Sequence, residues 1–186
     1  MKKKKNLTAL IMLLAIVASV ALAFTACDPD PADNIIPKGV DEKGIKYIRC
    51  NGIPKAIWQE NYFILRNGEQ RDAFLDLARS DDDVYEHIET PYKILAPILN
   101  MYGDEYFNEF NLVIVPNRAP NIGIRYKVEK IVLQDTEQLY IRINRIKPTG
   151  DTGDMVTYWL ILIPVKKEYF DGGEIIVEYR DTYRKR

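Results

Sequence analysis

Apolar and polar positions divide the chain into three stretches. The first is an apolar run from Ala9 to Ala23, interrupted only by Ser19 and preceded by the basic start MKKKKN. A basic start followed by an apolar core of about 7–15 residues is the layout of a secretory signal. A bilayer-spanning helix needs about 20 apolar residues. The run reaches that length only with Leu7, Thr8, Phe24, Thr25 and Ala26 included, which leaves an uncleaved anchor as the alternative. The second stretch, DPDPADNIIPKGVDEKG up to Gly44, carries three prolines and five acidic residues. It offers too little apolar surface to offset the entropy of ordering and reads as a disordered tether over 27–44. The third, 45–186, is patterned as one globular domain of ordinary size.

Within the third stretch, IKYIRC (Ile45 to Cys50) and NYFILR (Asn61 to Arg66) are rich in β-branched and aromatic residues and predict short strands. Asn51-Gly52 and Pro54 supply turn chemistry between them. In NGEQRDAFLDLARS, Asn67 with Gln70 three residues on forms a capping-box arrangement. Ala73, Phe74, Leu77 and Ala78 then share a stripe, which predicts a helix over 69–79. TPYKILAPILNMY has helical spacing at Ile94, Leu95, Ile98 and Leu99, with Pro97 expected to break or kink it. DEYFNEF predicts one helical turn capped by Asp104 that buries Phe107 and Phe110.

Strand patterning then takes over. Leu112 to Pro116 is a short apolar strand. Ile122, Ile124, Tyr126 and Val128 alternate with polar residues before the apolar phase flips to Ile131 and Leu133, as a β-bulge would produce. Asp135-Thr136-Glu137 predicts a hairpin turn into LYIRINRI, with Leu139, Ile141 and Ile143 inward and Arg142 and Asn144 outward. MVTYWLILIPV is apolar on both faces, with Trp159, Ile161 and Ile163 on one and Tyr158, Leu160 and Leu162 on the other; such a strand belongs at the centre of a layered structure. EIIVEYR, Glu174 to Arg180, completes the set, and DTYRKR reads as a frayed tail. The fold class is therefore α+β: a curled antiparallel sheet of about four or five strands, as a small sandwich or half-barrel, covered by one or two helices.

Candidate chemistry narrows the picture at one position above all. Phe24-Thr25-Ala26-Cys27 resembles the bacterial lipobox, in which small residues precede the cysteine that becomes the lipidated first residue. The Cys27 thiol would receive a diacylglyceryl group, and two or three acyl chains anchor stably where one does not. This reading makes 1–26 a lipoprotein signal peptide and places the domain on the extracytoplasmic face of the cell membrane. Removing 1–26 takes away four lysines and no acids, leaving 22 Lys+Arg against 27 Asp+Glu. That balance disfavours nucleic acid, whose binding rests on phosphate neutralisation.

Cys50 is then the only remaining thiol and reads as a small core residue. Ser80 and His87 are the only serine and histidine after residue 26, so a Ser-His-acid or Cys-His machine would have to be built from these lone residues. There is no CxxC, HExxH or glycine-rich phosphate loop, and no cofactor or metal is expected. Asp81-Asp82-Asp83, and Asp151 with Asp154, could offer calcium oxygen ligands, but their spacing matches no EF-hand loop and solvated turns explain them.

The order YIRCNG (47–52), YFNEFNLVIV (106–115), IRYKVEKI (124–131), LYIRINRIKP (139–148) and GDMVTYWLILIPVKK (153–167) resembles a group of clostridial-type lipoproteins of uncharacterised role. Over about 110–167 the chain also resembles, more distantly, the C-terminal domain of PrcB, a subunit that stabilises a secreted protease complex. That wider family carries a Thr-Gly-Gly-Tyr motif before its long hairpin, and the corresponding APNIGIRY here lacks it. No catalytic residues come with the family. The resemblance implies a non-enzymatic binding or accessory module, a protease modulator among the roles, with a protein or envelope polymer as partner. Tyr47, Tyr62, Tyr140 and Tyr158 are the candidate interface anchors. The alternative is a carboxylate- or calcium-dependent envelope hydrolase, which requires two acids in a cleft, one with a raised pKa. A purely structural lipoprotein or a solute-binding fragment is the third reading; against it, the chain is too small for a two-lobed binding protein.

Overall fold

The computed structural model describes residue 37 and residues 39–79, 91–133, 137–150 and 155–184. Among the described residues, seven strands form two sheets. The first holds β1 (Lys46–Cys50), β2 (Phe63–Leu65), β3 (Phe110–Ala119) and β6 (Thr157–Lys166), in the order β1-β6-β3-β2, all antiparallel. The second holds β4 (Arg125–Leu133), β5 (Gln138–Lys147) and β7 (Glu174–Tyr183), in the order β4-β5-β7. The sheets stay open rather than closing into a barrel, so the α+β sandwich is the form adopted.

The layering follows from strand parity. Alternate residues of a strand point to opposite faces, and β6 is buried at Trp159 through Val165. Trp159, Ile161, Ile163 and Val165 join Val113 and Val115 of β3 in a core shared with Tyr126, Val128, Ile131, Leu139, Ile141 and Ile143 of the second sheet. Leu160 and Leu162, with Leu112 and Ile114, face the other way into a second core. Four helices close that side: α1 (Lys55–Trp58), α2 (Gly68–Arg79), α3 (Pro91–Leu99) and α4 (Asp104–Glu109). Burial of each such aliphatic side chain contributes roughly 1.5–3 kcal/mol.

Local structure follows the sequence with specific departures. The Gln70 N–H donates to Asn67 Oδ1 at 2.9 Å, the expected cap, but Gln70 Oε1 accepts the Arg66 N–H at 2.8 Å rather than the Asn67 N–H. The buried stripe of α2 is Phe74, Leu75 and Ala78, while Ala73 and Leu77 are exposed. The helix is rotated because Phe74 meets Phe63 of β2 edge-on at 5.0 Å. α3 runs on past Pro97, which sits on its exposed side. Asp104 opens α4 instead of capping it, and Phe110 already belongs to β3.

The bulge appears where the phase flips: Val128 pairs with Ile143, Lys130 with Arg142, and Glu129 is left over. Of the turn beyond it, Gln134, Asp135 and Thr136 lie outside the described residues, but the strands it joins pair antiparallel from Leu133 opposite Leu139. β7 departs further. It pairs with β5 in parallel, and it extends through Asp181, Thr182 and Tyr183 of the supposed tail.

Residues 39 and 40, read from composition as part of a tether, pair with the first sheet. The Lys166 N–H donates to the Gly39 carbonyl at 2.8 Å, and Val40 bridges Val165 with its side chain in the inter-sheet core. Gly39 also lies against the Tyr169 ring, which a Cβ there would overlap.

The parallel pair needs a crossover from β6, supplied by 167–173. Phe170 is fully buried between the sheets and its carbonyl accepts from Asn111 Nδ2 at 2.9 Å. Gly172 has φ of 96°, a left-handed conformation that favours glycine. A Cβ on Gly173 would overlap the Glu137 carbonyl, which accepts from the Glu174 N–H at 2.7 Å. Gly173→Ala is therefore expected to destabilise the domain by about 1–3 kcal/mol, read as a fall in the midpoint of urea unfolding; an unchanged midpoint would show that this approach does not set the position of β7.

Candidate functional site

Cys27, Ser80, Asp81, Asp82, Asp83, His87, Asp151 and Asp154 all lie outside the described residues. Cys50, at the end of β1, is 1 % exposed, and burial pushes its thiol up to about 12, so it is unreactive. Among the described residues no three His, Cys, Asp or Glu side chains gather as a metal site.

The four candidate tyrosines do not form one surface. Tyr47 reaches from β1 to the second sheet, where its hydroxyl oxygen accepts the Val128 N–H at 2.9 Å. Burial raises its pKa, with the Val128 bond opposing. Tyr62 packs against the inter-sheet core. Tyr140 lies beneath the Arg142 guanidinium, which donates to its hydroxyl at 3.2 Å. Tyr158 packs against the helix-side core, with the Trp58 ring 6.5 Å away.

A cleft of about 240 Å³ lies elsewhere, at the end of the sandwich where β5 and β7 run out together. The alternation of these strands explains it. Inward positions on β5 run Leu139, Ile141, Ile143, Arg145; on β7 they run Ile175, Val177, Tyr179, Asp181. Apolar residues thus give way to polar ones at the same end of both strands, because parallel pairing puts Ile143 beside Tyr179 and Arg145 beside Asp181. The two sheets can no longer be sealed by aliphatic packing there. Antiparallel pairing would have sent Tyr179 and Asp181 to the opposite end.

Arg145 and Tyr179 form one wall together with Tyr126 of β4, and Pro116, Asn117 and Arg118 of β3 face them. Trp58, at the end of α1, and Gln59, Glu60 and Asn61 after it complete the rim. Several of these groups are fixed. Asn117 is buried and its Nδ2 donates to the Val115 carbonyl at 3.0 Å. The Tyr126 hydroxyl donates to the Arg118 carbonyl at 3.3 Å, tying β4 to β3 across the mouth. Tyr126 also meets Trp159 edge-on at 6.1 Å.

Charge is distributed unevenly. Arg145 Nε lies 2.7 Å from Asp181 Oδ1, Lys147 Nζ lies 2.6 Å from Oδ2, and the Arg145 guanidinium sits 5.3 Å over the Tyr179 ring. The Lys147 hydrogen bond, with Arg145 adding to it, holds the Asp181 carboxyl below the usual carboxylate range. Burial, and then the neighbouring Tyr126, push the Tyr179 hydroxyl up to about 12, so it stays protonated at neutral pH. Arg118 lies 5.7 Å over the Trp58 ring and, among the described residues, has no carboxylate partner. The cleft therefore holds one committed cation and one open one.

None of the cleft residues was nominated from the sequence, yet one signal was present. The inward phase Leu139, Ile141, Ile143 has Arg145 as its next member, and a charge on a core phase marks where a core ends. Arg118 and Trp58 carried no such signal, since their meeting depends on tertiary packing.

Asp181→Asn should lower the melting temperature modestly at neutral pH. A carboxylate whose folded pKa is depressed stabilises above its unfolded value and loses that contribution as pH falls through the folded one. The wild-type and variant melting curves should accordingly converge as pH falls below 3.8, the ordinary value for this group. A difference independent of pH would show that the two cations do not act on this carboxyl. Comparison of the chain with protein-family models, with curated proteins and with solved structures gives no match in any of the three.

Proposed function

We propose that this chain is a lipid-anchored extracytoplasmic accessory module that binds, without catalysis, a protein or polymer of the cell envelope through the cleft at the end of its sandwich. The observation that carries the reading is the lining of that cleft: arginine, tyrosine and amide side chains on β3, β4, β5 and β7, with Trp58 and the amides after α1 on the rim and an Arg118 guanidinium that has no carboxylate partner among the described residues. Such groups supply contact area and oriented hydrogen bonds, and buried aromatic and arginine residues dominate recognition sites. The Cys27 acyl chains and the acidic tether would hold the domain at the membrane surface, with protease modulation as one form of the accessory role.

The charge state of the site supports binding over acid hydrolysis. A carboxylate hydrolase needs an acid whose pKa is raised by an apolar wall. Of the two carboxyls at this cleft, Glu60 on the rim and Asp181 beside it, Asp181 is pushed the other way by two cations.

Photocrosslinking on intact cells tests the reading. A photoreactive amino acid in place of Gln59, at the rim, should give an adduct enriched over the same probe in place of Met101, which is 70 % exposed in the segment after α3. Equal or absent labelling at the two positions would remove the cleft-binding role.

A further inference from the structure

We infer that the cleft is a subsite for a single carboxylate-bearing sugar residue of an envelope polysaccharide; the inference rests on the accessory-binding reading and specifies its ligand. Size is the first argument. At about 240 Å³ the cleft falls below the roughly 300–1,000 Å³ of sites that enclose drug-sized ligands. It suits one pyranose ring better than a peptide segment with its side chains.

The lining is the second argument. A pyranose offers an apolar C–H face and a rim of hydroxyls, each able to donate and to accept. Arg118 lies 5.7 Å over the Trp58 ring and Arg145 5.3 Å over the Tyr179 ring, so the ring edges and the methylene stems of the two arginines meet the first. The second is met by mixed hydrogen-bonding groups: the amides of Gln59 and Asn61, the Glu60 carboxylate, and Asn117, whose Nδ2 is committed to the Val115 carbonyl while Oδ1 remains an acceptor. Glu60 and Asn117 Oδ1 would oppose a phosphate or sulfate, which brings only acceptors, but both can take a hydroxyl proton.

Charge is the third argument. Asp181 already engages Arg145, so among the described lining residues Arg118, stacked on Trp58, is the guanidinium without a carboxylate partner, which matches one carboxylate on the ligand. Its planar fork suits bidentate capture of that group, and its backbone is fixed by the Tyr126 hydroxyl.

Calorimetric titration of the full-length chain in detergent micelles tests the assignment with defined probes. These are a glucuronic acid-terminated disaccharide, its glucose-terminated counterpart, and a short peptide with a free terminal carboxylate. The acidic disaccharide should bind about 10–100-fold more tightly than the neutral one, the range expected of charge-assisted hydrogen bonds. Arg118→Gln should abolish that preference, Arg118→Lys should retain part of it, and Trp58→Ala should weaken both sugars alike. The exposed Arg118 variants leave both cores untouched, so they remain informative even if Trp58→Ala fails to fold.

Equal binding of the two sugars, no heat from either, an Arg118→Gln variant that keeps the preference, or tighter binding of the peptide would each overturn the inference. Capture of a partner at position 59 in cells, without sugar binding in the calorimeter, would remove the sugar subsite and leave the accessory reading standing. Sugar binding without any adduct in cells would do the reverse.

Discussion

A ten-residue strand buried along nearly its whole length must be enclosed on both faces, and β6 imposes that requirement here. One face needs a second sheet and the other needs a helical cover, so a helix layer, the four-stranded sheet and the three-stranded sheet follow from its two apolar stripes. Its neighbours share the burden. β3 divides its side chains between the same two cores, and the short β1 and β2 complete the layer at its edges. Even Val40 of the acidic segment is drawn in to cover Val165.

The second sheet obeys a different constraint. β7 arrives from β6 through a crossover pinned by Phe170 and by the close passage of Gly173 past Glu137, so it enters parallel to β5. Parallel register aligns the apolar halves of both strands at one end and their polar halves at the other. Arg145, Lys147 and Asp181 form an ion-pair group where the core runs out. A partly exposed group of this kind contributes little net stability. Its structural consequence is larger: it leaves an opening between the sheets bounded by tyrosine, tryptophan and a second arginine.

Much of this was legible in the sequence for a simple reason. Strand parity and the bulge between Val128 and Lys130 are local patterns, and both survive folding unchanged. The two-faced apolar pattern of residues 155–165 names the central strand outright. Long-range facts were not legible. Nothing in EIIVEYRDTY states whether it pairs parallel or antiparallel, and that choice decides which end receives Tyr179. The rotation of α2, set by Phe63 against Phe74, is likewise a tertiary preference that overrides a helical stripe drawn from spacing alone. The cleft could not be found by looking for catalytic residue types, because its members are ordinary surface and strand residues made special by where two strands end.

The polar side chains of the cleft gather at one end of the sandwich, where β5 and β7 run out together. Hydrogen–deuterium exchange of the full-length protein, with and without solubilised envelope polymer, tests the proposed cleft-binding role most directly. The account predicts slowed exchange confined to the segments bearing Trp58 to Asn61, Pro116 to Arg118, Arg145 and Tyr179. Unchanged exchange in those segments, or protection located on the helix layer around α2 and α3, would contradict it.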